Sequence, residues 1–276
     1  MTLSGSGLGL RRGMMEEMKS LTHENVDFLE VAPENWINVG GRLGKSFREF
    51  TERFPFACHG LSLSIGSADK LDVEFVKSVK DFMDTHNIEI YSEHLSYCSH
   101  EGHMYDLMPI PFTEQAANYV ANRVAQVQDI LQRPLILENV STYASPGQEM
   151  SELEFMTQVL QKSDCKMLLD VNNVYVNSIN HGFDPKHYIN SLPTDRIEYL
   201  HIAGHFDEAE DLLVDTHGAS IKSQVWDLLA LTYAKHGKLP TLLERDFNFP
   251  PMNELLAEIN QIKDYQQGAL HERQLA

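Results

Sequence analysis

The stretch that decides the fold spans residues 168–175 and reads LLDVNNVY. Its apolar residues lead to one acid, Asp170, and then to two carboxamides, Asn172 and Asn173. A short apolar run of this kind is typical of a buried strand, whose polar side chains then stand at its carboxyl end. We therefore predict a strand over Lys166–Val174 and look for other segments that end in the same way.

Seven further segments have the composition of strands, and helical periodicity fills the intervals between them. The predicted strands are Gly5–Leu10, Val26–Val31, Pro55–Gly60, Ile88–His94, Pro134–Asn139, Ile197–His201 and Pro240–Glu244. The predicted helices are Arg11–Leu21, Phe47–Phe54, Leu71–Asp84, Thr113–Leu131, Ser151–Gln161, Pro185–Leu192, Ser220–His236 and Asn253–Gln267. Eight alternating units over about 250 residues are typical of a (β/α)8 barrel. We predict one α/β domain over residues 1–276, a TIM barrel; the alternative is an open, doubly wound sheet.

The composition argues against several classes of protein. The chain has 276 residues and a formal net charge of −18 at pH 7, whereas a groove for nucleic-acid phosphates needs clustered Lys and Arg. No apolar run approaches the roughly 18 residues of a membrane span, and the N-terminus lacks the pattern of a secretory signal. Its three cysteines show no CxxC spacing, which argues against a disulfide framework or a cysteine-ligated zinc site. We expect a cytoplasmic protein with no nucleic-acid or membrane partner.

Polar side chains stand at the carboxyl ends of six predicted strands. They are His59, His94, Glu138, Asp170, His201 and Glu244. In a parallel barrel these ends open onto one face, and that face holds the active site. Four more residues, Asn173, His181, Asp215 and His217, follow in predicted loops on the same face. A single histidine at a strand end is usually a hydrogen-bonded structural residue, but that explanation weakens when the pattern recurs around the barrel.

We interpret these residues as ligands of metal ions. Burying several carboxylates together is unfavourable because the charges repel each other and lose hydration, and bound cations remove that penalty. Imidazole with carboxylate suits iron, manganese or zinc. The set is too large for one ion, so we expect two or three, with Glu138 and Glu244 as bridges. Glu138, Asp170 and Glu244 would then act on the reaction through the bound metal. His205 either orients a ligand or is a solvated loop residue, and Asn172 has no assigned role.

Nine segments taken together resemble the multinuclear non-haem iron-dependent oxidative enzymes. This family was long catalogued as uncharacterised and includes the methanobactin-biosynthesis oxidase. The segments are ENW at 34–36, HG at 59–60, SEHLS at 92–96, LEN at 137–139, DVNN at 170–173, NHGFD at 180–184, HIAGH at 201–205, DTHG at 215–218 and ERD at 244–246. The resemblance covers almost the whole chain in order. It implies a xylose-isomerase-like barrel with two or three iron ions, mixed Fe(II) and Fe(III), and the ligand set above, with His181 included through the Asn-His-Gly motif.

The same resemblance implies a reaction. The family uses O2 to oxidise residues, commonly cysteines, of ribosomally made precursor peptides, often with a separate partner protein that presents the peptide. We therefore expect an O2-dependent oxidase that converts a peptide cysteine into a heterocycle such as an oxazolone or a thiooxazole.

The residues alone leave two other functions open. One is a divalent-metal hydrolase or isomerase on the same barrel, such as an apurinic endonuclease or a sugar isomerase. The acidic charge counts against the endonuclease, and no predicted strand ends in the lysine that an isomerase usually needs beside its metal. The other is a non-catalytic metal-binding protein, in which protein ligands would fill every coordination position.

Overall fold

Eight parallel strands close into a barrel within residues 3–275, the part of the chain that the computed structural model describes; side chains are described for residues 3–269. The strands are β1 (Ser6–Gly9), β2 (Phe28–Val31), β3 (Phe56–His59), β4 (Ile90–His94), β5 (Ile136–Glu138), β6 (Lys166–Asp170), β7 (Ile197–Ile202) and β8 (Thr241–Leu243). Consecutive strands pair in parallel, and β8 pairs with β1 to close the sheet. The predicted TIM barrel is thus confirmed, and the open sheet is excluded. Residues 1, 2 and 276 of the predicted domain lie outside the described residues.

Helices cover the outside of the barrel. Those in the described residues are α1 (Met15–Met18), α2 (Gly41–Thr51), α3 (Val73–His86), α4 (Glu114–Leu131), α5 (Glu152–Ser163), α6 (Val171–His181), α7 (Pro185–Ser191), α8 (Ser223–His236) and α9 (Met252–Leu275). Most follow the predicted periodicity, but the predicted first helix shrinks to a 3₁₀ turn at Arg12–Met14 and the single turn of α1. Among the described residues, none of these helices combines the length and the apolar character needed to cross a membrane.

The prediction that the sixth strand continues to Val174 is wrong. The strand ends at Asp170, whose Oδ1 accepts a hydrogen bond of 2.7 Å from the backbone N–H of Asn173. This bond caps the first turn of α6, because the side chain satisfies an N–H that has no partner inside the helix. Asn173 and His181 consequently lie on α6, in its first and last turns, and not in loops.

Two short antiparallel hairpins form within segments that the sequence predicts as loops. One pairs Tyr97–Ser99 with His103–Met108 after β4, and the other pairs Phe206–Ala209 with Leu212–Val214 after β7. Both follow the carboxyl ends of barrel strands. They therefore belong to the face onto which the barrel opens.

Candidate metal centre

A layer of polar side chains lies directly above an apolar plug inside the barrel. The plug is a separate buried cluster of Leu3, Phe28, Ala57, Ile136, Leu168, Tyr199 and Leu242. Alternate residues of a strand face the same side of a sheet, so the next inward position lies two residues further along each strand. Those positions hold Glu30, His59, Glu138, Asp170, His201 and Glu244. The alternation along each strand thus brings five of the six predicted strand-end ligands into one layer, while on β4 the corresponding position holds Ser92 and His94 lies two residues beyond it.

The first donor group consists of His59, His94 and Glu138. The Nε2 atoms of the two rings lie 3.2 Å apart, and Glu138 Oε2 lies 3.2 Å from the first and 3.4 Å from the second. His59 and Glu138 are buried, and His94 is half-buried. Two ring nitrogens and one carboxylate oxygen that face a common point form a donor set for one cation.

The second donor group consists of Glu138, Asp170, His201 and Glu244, all buried. His201 Nδ1 lies 2.9 Å from Glu244 Oε2 and 3.7 Å from Glu138 Oε1. Despite these short distances, neither His201 Nδ1 nor Asp170 Oδ2 makes a hydrogen bond of acceptable geometry with any described residue. Buried polar atoms without partners are costly, so their convergence here fits a bound cation.

The third donor group consists of His217, Glu244 and Asp246, with Asp215 beside it. His217 Nδ1 lies 3.1 Å from Asp246 Oδ2 and 3.4 Å from Glu244 Oε2, while its Nε2 lies 2.7 Å from Asp215 Oδ1. Asn173 lies on the wall of the same cavity, where its Oδ1 accepts a 2.7 Å hydrogen bond from Ser141. Glu244 thus belongs to two groups, just as Glu138 does.

Burial opposes the ionised form of two central carboxyls. Burial raises the pKa of both Glu138 and Asp170, and the charge of Glu138 raises that of Asp170 further. Burial also tends to raise the pKa of Glu244, but His217 and His201 hold it well below its ordinary value. Burial lowers the pKa of His59 to about 3, which keeps this ring neutral and able to donate a lone pair. Burial also lowers the pKa of His94 and His201, but the carboxyls around each ring more than offset it and raise the pKa of His94 to about 9 and that of His201 well above its ordinary value. A cation bound among these rings and carboxyls would take the place of such protons.

His181 does not join these groups. Its Nε2 lies 2.8 Å from both the hydroxyl and the backbone oxygen of Thr142. His181 lies in the last turn of α6, and none of the three donor groups includes it. We therefore do not retain His181 in the proposed ligand set.

His205 is buried and connected to the centre through Asn172. Its Nδ1 lies 2.7 Å from Asn172 Oδ1, and Asn172 Nδ2 donates a 2.9 Å hydrogen bond to Asp215 Oδ1. His205 is therefore not a solvated loop residue, and its contact with Asp215 through Asn172 is the geometry that an orienting role requires. The same contacts give Asn172 a role.

Sequence reasoning missed Glu30 and Arg11. Glu30 is buried, and its Oε2 lies 3.0 Å from His201 Nε2. Its signal was a charged residue at an inward position, two residues after Phe28 in an apolar strand. Arg11 contacts Asp246 Oδ1 through Nε at 3.0 Å and Nη2 at 2.7 Å; this contact joins distant parts of the chain, and no local pattern indicates it.

The centre forms the floor of a cavity of about 570 Å³. Apolar and aromatic side chains line its walls, among them Leu10, Trp36, Leu61, Leu107, Val140 and Tyr143. Arg11 and Arg12 are the cations among the described lining residues, which include no lysine. The cavity is large enough for a side chain or a short peptide segment to approach the donors.

Comparison with known proteins places this site in a family. The family model described as "RiPP precursor modification enzyme MbnB/TglH/ChrH" matches residues 5–267. A UPF0276 protein of Shewanella sediminis (strain HAW-EB3) is 64% identical over 260 residues, which cover 94% of each chain. A UPF0276 protein of Pseudomonas aeruginosa (strain UCBPP-PA14) is 54% identical over 264 residues, covering 96% of this chain and 93% of its own.

Solved structures with a similar fold include several barrels. L-ribulose 3-epimerase has a TM-score of 0.65 at 15% identity, over 100% of this chain and 98% of its own. Endonuclease IV from Thermus thermophilus has a TM-score of 0.60 at 15% identity, over 97% of this chain and 99% of its own. A xylose isomerase domain protein from Planctomyces limnophilus has a TM-score of 0.62 at 11% identity, over 98% of this chain and 99% of its own. At such identities the likeness shows the fold alone, and it confirms the xylose-isomerase-like barrel.

Proposed function

This chain belongs to the MbnB/TglH/ChrH family of RiPP precursor modification enzymes, and we propose that it is a multinuclear iron oxidase that acts on cysteine with O2. Family membership implies a ribosomally synthesised precursor peptide as substrate. Iron, O2 and a product such as an oxazolone or a thiooxazole are the finer parts of the proposal. The observation that supports a metal cluster is the set of three donor groups that share Glu138 and Glu244 on the floor of one cavity, while O2 and the heterocyclic product rest on the family resemblance.

The residues present fit a cluster of metal ions. In the proposal, His59, His94 and Glu138 hold one ion, and Glu138, Asp170, His201 and Glu244 hold a second. Of the third donor group, His217 and Glu244 hold a third ion together with Asn173 and Asp215, while Asp246 pairs with Arg11. The buried atoms that lack hydrogen-bond partners among the described residues, including Asp170 Oδ2, His201 Nδ1 and His217 Nε2, support this assignment. Imidazole and carboxylate donors without thiolate suit iron.

Bound iron would supply the redox chemistry with O2 and a binding position for a substrate thiolate. The chain's own residues provide the surroundings. Trp36 and Val140 give the cavity an apolar wall that excludes water, and Arg11 offsets the charge of Glu244 and Asp246 beside the ligands. Leu61 and Tyr143 line the cavity and are 45% and 50% exposed, so they offer an apolar rim to the peptide or to a separate protein that presents it.

The test combines anaerobically iron-loaded protein with its precursor peptide, the partner protein and O2. We expect O2 consumption and a change in peptide mass, whereas a peptide whose cysteines are replaced by serine should remain unchanged. Iron-loaded protein that neither consumes O2 nor alters the cysteine peptide contradicts the proposal. Stoichiometric zinc with nuclease or isomerase activity would favour the hydrolase or isomerase, and metal binding without any activity would favour the non-catalytic protein.

A further inference from the structure

A buried chain of hydrogen bonds runs beneath the proposed centre and joins two of its histidines. Glu30 Oε2 lies 2.8 Å from the hydroxyl of Tyr199, which lies 2.6 Å from Ser92 Oγ. Ser92 Oγ in turn lies 2.8 Å from Nδ1 of His59. A second branch leads from the same Glu30 oxygen to Nε2 of His201 at 3.0 Å. All five residues are buried, so no bulk water competes for these bonds.

The hydrogens of the first branch can be assigned in order from Glu30. A carboxylate only accepts, so Tyr199 donates its hydroxyl hydrogen to Glu30. The 2.6 Å contact between Tyr199 and Ser92 needs a hydrogen between the two oxygens, and Ser92 supplies it in preference to its longer contact of 3.3 Å with the backbone oxygen of Cys58. Ser92 Oγ is then left as an acceptor and receives the Nδ1–H of His59. A neutral His59 consequently carries its lone pair on Nε2, the atom that faces His94 and Glu138.

The second branch fixes the opposite nitrogen. His201 donates its Nε2–H to Glu30, which leaves a lone pair on Nδ1 when the ring is neutral. Nδ1 is the atom that lies near Glu138 and Glu244 and has no hydrogen-bond partner among the described residues. Glu30 Oε2 thus determines which ring nitrogen of His59 and which ring nitrogen of His201 carries the lone pair that faces the donor groups.

We propose that Glu30 is a positioning residue that sets the tautomers of His59 and His201 together and so couples the first two metal positions. The inference rests on the proposed metal centre and adds a residue outside its three donor groups. Groups that orient metal-bound histidines typically contribute a factor of about 10–100 in metal affinity. Because both branches meet at one oxygen, loss of Glu30 should weaken the binding of two ions. Loss of a residue between Glu30 and His59 should weaken the binding of one ion only.

Three variants separate these effects. Glu30→Leu removes the shared acceptor, and Tyr199→Phe removes only the link to Ser92 and His59. Glu30→Gln is the conservative variant, because its amide oxygen can still accept from both Tyr199 and His201. Zinc is the probe, since it is diamagnetic and does not change oxidation state.

Zinc affinity of the full chain is measured by chelator competition, and ring protonation is read by long-range ¹H–¹⁵N NMR of the zinc-loaded protein. In the wild type we expect a proton on Nδ1 of His59 and on Nε2 of His201. Glu30→Leu should weaken two zinc equivalents by about 10–100-fold and Tyr199→Phe one, while Glu30→Gln should retain most of the affinity.

A proton on the opposite nitrogen of either ring, or wild-type zinc affinity in a folded Glu30→Leu chain, overturns the inference alone. A wild-type chain that binds neither zinc nor iron overturns the proposed centre and the inference with it. If Glu30→Leu fails to fold, the wild-type NMR spectrum and the Tyr199→Phe variant test the inference. A Tyr199→Phe chain that binds both zinc equivalents with wild-type affinity refutes the first branch.

Discussion

Replacing Glu138 by alanine should remove two metal ions from the chain, whereas replacing His94 should remove one. Glu138 belongs to two donor groups, with Oε2 at 3.2 Å from His59 and Oε1 at 3.7 Å from His201, while His94 belongs to one. Loss of an orienting group already weakens metal binding by up to about 100-fold, or about 3 kcal/mol. Loss of a ligand should exceed that for each ion that Glu138 bridges.

The assay is elemental analysis of anaerobically iron-loaded protein, with Mössbauer spectroscopy to count the iron environments. His94→Ala is the matched control because it removes a donor from the first group alone. A Glu138→Ala chain that is folded and loses one ion or none refutes the bridging role.

Three further outcomes follow from the structure. His181→Ala should leave the iron content unchanged and lower the free energy of unfolding by about 1 kcal/mol, because the hydrogen bond between the ring and Thr142 is lost. Elemental analysis and denaturant unfolding measure the two quantities, and loss of an ion would restore His181 as a ligand. His205→Ala should weaken binding of one ion by about 10–100-fold in chelator competition, because Asn172 then no longer fixes Asp215; unchanged affinity would contradict this orienting role. Burial raises the pKa of Glu152 from 4.5 to about 7, so the stability gained from its neutral form is complete below pH 4.5 and is lost as the pH rises through 7. Glu152→Gln should therefore have the same free energy of unfolding as the wild type at pH 4 and be more stable at pH 8 by about 1–2 kcal/mol. The partial exposure of this side chain limits that value. Equal unfolding free energies at pH 8 would contradict the shift in the pKa of Glu152.

The strands could be predicted because each is a short, largely apolar run, and six of the eight predicted runs lead to a polar residue. The end of β6 could not, because the apolar Val171 and Val174 continue the run past Asp170. What ends the strand is a hydrogen bond between Asp170 and the N–H of Asn173, and a carboxylate can make that bond only once the chain turns. Local composition therefore identified the element and not its boundary.

The gathering of donors could be predicted from topology, but the contacts that orient them could not. Glu30 and His201 are 171 residues apart, and the barrel brings them together only after it closes. His181 shows the converse, since a motif placed it among the ligands while packing of α6 turns its ring toward Thr142. Sequence thus specifies which side chains reach the carboxyl face, and the closed barrel specifies their partners.

The most direct test of the central claim is the number of iron ions per chain in anaerobically prepared wild-type protein. Elemental analysis against protein concentration gives the number, and Mössbauer spectroscopy shows whether the ions occupy distinct environments. The three donor groups lead us to expect two or three ions in distinguishable environments. A single ion, no iron, or a full complement of zinc would contradict a multinuclear iron centre.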